Sequence, residues 1–395
     1  MKIIHIAPHA VYDDYWGFQD NLLPKYHKKM GHDVYLLVST RIHGKDGYAL
    51  TQPGEYDLRD GIHVIRRPIR KECFAALTQL RFRLEGALEL LRQIRPDFIF
   101  FHGLCSATMD DCIRYKKEAE GQGSACLIVQ DNHLDYNIGS PAVTLRQKLA
   151  RAYFRLYNRR SQRYVEKVYG VTPWRKQYAE DYYRIDPSKT DVLIMGADDE
   201  AIHLAQRDTI RSRIRKEFGI DDHAFLIVTG GKMNEKKKIH HLMEVCSRRE
   251  DVELLVFGTP SEDMRPKFET LFAACPRLHN VGWIGAEGVY DYFLAADLVM
   301  FPGQHSVLWE QACACKVPCV FGRWPGMEHV DNGGNAAFLD AADPETLDRT
   351  IDDLRFTERY QEMKKVAASA ATDIYLYSSI AEKALECWYS KGERV

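Results

Sequence analysis

The chain has 395 residues, 45% of them hydrophobic and 28% charged, a length that exceeds one ordinary core and suits two domains. A formal net charge of −2 argues against a nucleic-acid binder, which carries a basic excess. No stretch reaches the ~18 apolar residues of a membrane span, and ten scattered cysteines suit thiols in a reducing compartment better than a disulfide scaffold.

The opening MKIIHIAPHA holds a short apolar run that stops at Pro8. It lacks the longer apolar core of a secretory signal and reads as a buried first strand. From there apolar runs alternate with amphipathic segments, the pattern of parallel sheets covered by helices. Strands are expected at Lys2 to Ala7, His32 to Val38, Ile62 to Arg66, Asp97 to Phe101, Ala125 to Val129, Val168 to Val171 and Asp191 to Met195. The loop from Pro8 to Gln19 opens a helix, and Gly17 there lets a phosphate or an acceptor approach the backbone, unless it only serves a tight turn. Residues 41–61 have little periodicity and several glycines, and they are expected to form a surface loop near the mouth of a cleft.

The pattern starts again after a polar joint near Gly196 to Asp222, with strands at Ala224 to Thr229, Val252 to Phe257, Asn280 to Ile284, Leu298 to Phe301, Pro318 to Phe321 and Ala336 to Leu339. The expectation is an α/β protein of two Rossmann-like, doubly wound domains, 1–195 and 196–372, facing across a cleft. Residues 373–395 then form a helix packing back toward the N-terminal domain. In such sheets ligands sit beyond the carboxyl ends of the strands.

Between Leu145 and Lys167, apolar residues recur at helical spacing among Arg146, Lys148, Arg151, Arg155, Arg159 and Arg160. Such a helix lies on an anionic membrane surface, or else it is half-buried with a solvated basic face. His133, past a strand end between Asp131 and Asp135, is a candidate for contact with a substrate, and His102 at another strand end is a second.

In the second half, Thr229-Gly230-Gly231-Lys232 leads into Asn234-Glu235-Lys236-Lys237. The glycines free the backbone, and Lys232 and Lys237 converge on one anion if the run is more than solvated charge. Pro302-Gly303-Gln304-His305-Ser306 then stops a strand and opens a helix, with Ser306 as its expected N-cap. The amides of His305, Ser306 and Val307 would face an anion. Glu310, one turn in, either accepts sugar hydroxyls or offsets the positive helix end. Cys313, Cys315 and Cys319 lack paired metal-ligand spacing and read as core thiols. No G-x-G-x-x-G follows either first strand, which counts against a dinucleotide-dependent oxidoreductase.

These residues carry a resemblance. The segment GGKMNEKKKIHHL resembles the G-R-x-x-x-x-K-G motif of retaining glycosyltransferases of the GT-B fold, family 4 (glycosyl transferases group 1), with Gly231, Lys232 and Lys237 on its Gly, Arg and Lys. Gly17, Gly31-His32-Asp33-Val34, Gly170-Val171-Thr172-Pro173 and Met195-Gly196-Ala197-Asp198 resemble further segments. The family's Glu, seven residues, Glu, A-x-A-C-G-x-P signature is altered. Ala314-Cys315-Lys316-Val317-Pro318 fits its end, which puts Gln311 on the second acid beside Glu310 and Gly303 on the first.

The resemblance implies an N-terminal acceptor domain and a C-terminal nucleotide-sugar donor domain. Lys232, Lys237 and the helix start would hold the diphosphate, Glu310 or Gln311 the ribose, and His133 the transferred sugar. His305 or Ser306 would replace the missing acid, and Ile284 would offer its backbone to the base. The implied activity is retaining transfer from a nucleotide-diphosphate sugar, UDP- ahead of GDP-, to a hydroxyl acceptor, by a hexosyltransferase that needs no metal and no cofactor. A lipid-linked glycan in cell-surface polysaccharide synthesis is the acceptor if the basic helix meets a membrane, and the expected location is the cytoplasm or the membrane's cytoplasmic face. The alternatives are a GT-B sugar-nucleotide epimerase or hydrolase, or a silent sugar-nucleotide-binding scaffold.

Overall fold

Short runs rich in Val, Ile, Leu and Phe, buried on both faces, build the parallel strands of two sheets. The computed structural model describes residues 1–44, 47–136, 144–285 and 287–392. It divides into one unit of Met1–Ile194 together with the segment from Ile380 on, and a second of Met195–Ser379.

The first unit holds β1 (Lys2–Ala7), β2 (Asp33–Ser39), β3 (Arg41–Gly44), β4 (Gly47–Leu50), β5 (Gly54–Asp57), β6 (His63–Arg67), β7 (Phe98–Phe101), β8 (Leu127–Asn132), β9 (Lys167–Gly170) and β10 (Thr190–Val192). Eight of these form one sheet in the order β10-β9-β8-β7-β1-β2-β6-β5. It is parallel except for β5, which runs antiparallel to β6 at the edge. The loop expected over 41–61 is instead the antiparallel hairpin β3–β4 followed by β5. These strands are four residues each and mostly exposed, so no alternation of apolar residues announced them.

The second unit holds β11 (Phe225–Met233), β12 (Val252–Pro260), β13 (Leu278–Gly282), β14 (Leu298–Phe301), β15 (Cys319–Gly322) and β16 (Ala336–Leu339). Its sheet is parallel throughout, in the order β13-β12-β11-β14-β15-β16. Each sheet is wound outward in both directions from a central pair. The reversal lies between β1 and β7 in the first unit and between β11 and β14 in the second, and ligands of open parallel sheets bind beyond the carboxyl ends at such reversals.

Strand parity then decides which side chains meet. On β1 and β7, Ile4, Ile6, Ile99 and Phe101 enter the hydrophobic core of one face. His5, Phe100 and, past the end of β7, His102 take the other face by the period of two. That second face is covered by helices α1 (Gln19–Lys29) and α4 (Tyr377–Ala384), since His27 hydrogen-bonds both to His5 and to the Ala381 carbonyl.

Helix α2 (Leu145–Ser161) begins with a capping box, Thr144 accepting from the Gln147 amide while Gln147 reaches back. It buries Phe154, Asn158 and Ser161. Leu145, Leu149 and Leu156, spaced along one stripe, are 73%, 63% and 55% exposed. The side turned outward is thus the leucine stripe itself, flanked by exposed Arg146, Lys148, Arg155, Arg159 and Arg160. Among the described residues no helix is long and apolar enough to cross a membrane.

Candidate functional site

At the reversal of the second sheet, the loops after β11 and β14 are stitched together. The Gln304 amide donates to the Lys236 carbonyl at 3.0 Å. Lys237 Nζ donates to the carbonyls of Gln304 and His305 at 2.7 and 3.1 Å, and Trp324 Nε1 donates to the Gly303 carbonyl at 3.2 Å. Gly303 explains why the first acid of the signature is missing. A Cβ there would lie 2.3 Å from the Lys236 carbonyl oxygen, so any side chain is excluded while the loops pack this closely. Gly231 is a glycine for a different reason, its φ of +102, which strains any other residue, since the 2.9 Å contact its Cβ would make is only with the movable end of Leu308.

Lys237 is partly buried, and among the described residues no carboxylate lies within ion-pair distance of it. Burial lowers its ammonium from the usual lysine range to about 8. This is a cation held at a strand end by two carbonyls, which orient it without neutralising it. Lys232, by contrast, is exposed on β11, which continues to Met233, so the Gly-Gly-Lys segment is strand and not the loop expected after Thr229.

Helix α3 (Leu308–Ala314) starts later than expected. Its N-cap is Val307, with no side-chain cap, and Ser306 contributes its carbonyl to the Trp309 amide. The expected Ser306 cap is therefore not formed, because the turn at Val307 already carries helical dihedrals. Glu310 on α3 is fully buried, and its carboxylate is filled from two sides. His305 Nε2 lies 2.8 and 3.1 Å from its two oxygens, and His329 Nε2 lies 2.8 Å from Oε1. Burial alone would raise this carboxyl, but the two imidazoles outweigh it and hold it at about 2. Instead of an open acceptor for sugar hydroxyls, Glu310 is a clamp on two histidines. Since the His305 carbonyl also accepts from Lys237, His305 joins the clamp to the partly buried cation.

Gln311, also buried, donates to Tyr290 Oη at 3.4 Å. Lys316, on the glycine of the altered signature, sits at φ +59, the left-handed conformation for which glycine is the default. Half-buried Ile284 and exposed Trp283 lie just past β13, the outermost strand, two strands away from the reversal. Cys313, Cys315 and Cys319 are all fully buried core thiols.

In the first unit, Asp131 is fully buried on β8, with His102 Nδ1 at 2.7 Å and His133 Nε2 at 3.4 Å from its Oδ2. Burial opposes both charged forms. The mutual attraction wins, raising His102 and pulling Asp131 well below the usual carboxylate range. The His133 side chain is 42% exposed. Gly17 lies in the loop after β1 beside the exposed rings of Tyr15, Trp16 and Phe18, and α1 starts two residues later with no side-chain cap.

His329 was not singled out from the sequence, although a histidine past a strand end is the signal that found His133. His5 and His27 also escaped notice. The signal for His5 was a polar residue inside an otherwise apolar, buried run, Ile3 to Ala7, whereas His27 lies on the polar-patterned α1.

A doubly wound pair of units, with an uncompensated lysine at the reversal of the second sheet, is an arrangement suited to an anion beyond the strand ends. Residues 210–371 match the family model of glycosyl transferases group 1. Over the whole chain, the structure is similar to a glycosyltransferase from Rickettsia africae, at 13% identity, 98% coverage of both chains and a TM-score of 0.68. It is similar to a sucrose-phosphate synthase from Thermosynechococcus elongatus at 14% identity, full coverage of both and a TM-score of 0.65. It is similar as well to Anabaena HepE solved in complex with UDP, at 15% identity, 99% and 100% coverage and a TM-score of 0.65. No curated protein matches. Residues 210–371 of the second unit thus match a group 1 glycosyltransferase domain, the chain has a GT-B fold, and the protein is a glycosyltransferase.

Proposed function

We propose that the protein is a retaining hexosyltransferase that moves a sugar from a nucleoside-diphosphate sugar, with UDP as the expected nucleotide, to a hydroxyl of a lipid-linked glycan. The observation that carries this reading is Lys237, a partly buried cation oriented by two carbonyls at the strand end where such sheets bind ligands. A diphosphate supplies the negative charge that this position lacks, and charge grows on its leaving oxygen in the transition state. HepE, whose fold this chain shares, was solved with UDP, which supports the choice of nucleotide.

In this reading Lys237, with Gly231 and the His305 to Val307 backbone, holds the diphosphate, and exposed Lys232 adds charge at its edge. Glu310 fixes His305 beside the donor sugar, and Gln311 and Ile284 lie toward the nucleoside. No cofactor takes part. In front-side transfer the C1 to phosphate-oxygen bond breaks as the acceptor oxygen approaches the same face, and that phosphate oxygen takes the acceptor's proton. The exposed leucine stripe and arginines of α2 suit an acceptor presented at the cytoplasmic face of an anionic membrane.

A panel of UDP-, GDP- and ADP-sugars, read by thermal stabilisation, tests the donor class, since a ligand of the native state raises its stability by mass action. A UDP-sugar should give the largest shift, and NMR of the product should show the donor's anomeric configuration kept. Absence of a shift from every sugar nucleotide would remove the donor reading, and an inverted anomer would remove the retaining one. Nucleoside diphosphate released only when an acceptor is added separates transfer from hydrolysis.

The lysine also sets a pH dependence. Its free-state value of about 8 means that the cation is present below pH 8 and is lost above it. If the diphosphate binds the protonated form, UDP affinity falls by about tenfold per pH unit above 8 and is level below it. Calorimetry between roughly pH 6.5 and 9.5 reads this directly, after allowance for UDP's own titration. A profile that stays level to the alkaline limit would show that Lys237 is not the binding cation.

A further inference from the structure

Behind Asp131 runs a buried line of histidines. His102 Nδ1 lies 2.7 Å from Asp131 Oδ2, and His102 Nε2 lies 3.2 Å from His5 Nδ1. His5 Nε2 lies 2.9 Å from His27 Nδ1, and His27 Nε2 lies 3.1 Å from the Ala381 carbonyl oxygen. His5 and His27 are fully buried, and His102 is 7% exposed. Strand parity sets the line up. His5 on β1 and Phe100 on β7 are register partners, His102 follows on the same face, and Asp131 continues the pairing of β8 beside it. His27 comes from α1 and the carbonyl from α4. A second carboxylate, Asp20 on α1, also acts on His102, and His32 stands edge-on to His27 at 6.5 Å.

The protons of this line can be counted. It has four hydrogen-bonded gaps, and each needs one hydrogen. Its ends, a carbonyl and a carboxylate, bring none, and three neutral imidazoles bring three. The line therefore holds one proton more than neutral rings supply. That proton does not sit on Asp131, whose Oδ1 accepts from the Gly103 amide at 2.8 Å and whose Oδ2 faces His133 Nε2 at 3.4 Å, contacts that favour the carboxylate. It belongs to the rings. Whichever ring is charged, His102 Nδ1 keeps its hydrogen toward Asp131, because the other arrangements only shift protons farther back. Burial pushes His5 well down and His27 to about 3, whereas at His102 the attraction of Asp131 overcomes burial, so the charge resides mainly there.

We propose that His5, His27 and His102 are positioning residues: the excess proton they hold compensates Asp131 from behind, so that His133 turns an Nε2–H to the carboxylate and presents a bare Nδ1 to a substrate hydroxyl. A carboxylate offers His133 only lone pairs, which fixes the hydrogen of that ring on the nitrogen facing it. The His133 side chain is 42% exposed, so it is the member of the group that a ligand reaches. Without the charge behind it, Asp131 would draw its compensation from His133. A second hydrogen would then occupy Nδ1, and the acceptor would be lost. The kinetic consequence rests on the proposed sugar transfer, and the proton count does not.

Nuclear magnetic resonance of protein with isotope-labelled histidine nitrogens, without donor or acceptor, reads which ring nitrogens carry hydrogen. At pH 8.5 an ordinary histidine, of pKa about 6.5, is neutral. We expect one equivalent of imidazolium to remain there among the 15 histidines, and His133, assigned by the signals lost in His133→Gln, to be the Nε2–H form. Two variants of His27 separate the proton from packing. His27→Leu leaves two rings and two gaps, which neutral rings fill. His27→Gln keeps an N–H for Ala381 and an oxygen for His5, so two rings still span three gaps. The imidazolium at pH 8.5 should vanish in His27→Leu and persist in His27→Gln. Relative to wild type, kcat/KM of His27→Leu should fall about tenfold at pH 7 and recover above pH 8, as expected of a group titrating about one unit higher, while His27→Gln should keep a level ratio. Circular dichroism checks both folds, and if His27→Leu does not fold, the wild-type spectrum decides. Fifteen neutral rings at pH 8.5, an Nδ1–H form of His133, or identical spectra of the two variants would each overturn the proposal. A pH-independent ratio in His27→Leu would do the same. Because the spectra need no sugar nucleotide, their outcome is separate from that of the donor reading.

Discussion

Lys237→Ala lowers kcat/KM for sugar transfer by about 10²–10³, the loss that follows removal of one preorganised donor to a developing oxyanion. The same substitution removes most of the thermal shift given by the sugar nucleotide. The lysine touches no carboxylate among the described residues, so its folded-state role is confined to two carbonyls, those of Gln304 and His305. The variant should therefore fold, with the loop after β14 less firmly tied to the loop after β11. If the ammonium acts on the leaving group, part of the loss appears in kcat at saturating donor, whereas a uniform binding role raises KM alone. Lys232→Ala, on an exposed lysine, should lose much less. Steady-state kinetics on both variants decides the matter. Equal, small losses would mean that the lysine run is surface charge.

The strands that frame these groups were legible because parallel strands are buried on both faces and show as bare apolar runs. β1, β14 and β16 begin and end where the composition changes. β11 ran on through Gly230, Gly231 and Lys232 because backbone pairing with β12 continues to Met233, and a glycine run carries no apolar signal of that pairing. The hairpin of β3 and β4 was missed for a related reason, since strands exposed on both faces have no alternation to read.

The site was legible at the level of loops and less so at the level of partners. Lys237, His305 and Glu310 were singled out one at a time by residue type and position. His305 and Glu310 are five residues apart, but that they join Lys237 and His329 in one connected group depends on contacts 19 and 68 residues apart, which no local pattern encodes. Gly303 shows the limit most clearly. From sequence it was an absent acid, whereas in the fold it is a backbone contact too close for any side chain.

Replacing Leu145, Leu149 and Leu156 together by serine abolishes binding to vesicles containing anionic lipid while leaving the fold intact. The three side chains point away from the core that Phe154, Asn158 and Ser161 enter, so the loss of folding stability is small, within roughly 0.5 kcal/mol per surface site. In a bilayer interface the balance reverses. A leucine moved fully out of water contributes about 1.5–3 kcal/mol, so three that are partly inserted supply about 4 kcal/mol, close to 10³ in partitioning. The flanking arginines add about 1 kcal/mol each near an anionic surface, an attraction that salt screens. Wild-type protein should therefore cosediment with vesicles containing phosphatidylglycerol, bind less at high salt, and leave neutral phosphatidylcholine vesicles largely free. The serine variant should stay in solution at every salt concentration. If it cosediments as the wild type does, the leucines are not the inserting face, and if the wild type ignores anionic vesicles altogether, α2 serves a protein partner or none. Because the variant leaves the donor site untouched, transfer to a water-soluble acceptor analogue should continue at the wild-type rate, so a defect confined to membrane-borne acceptors would place α2 in acceptor access and not in chemistry.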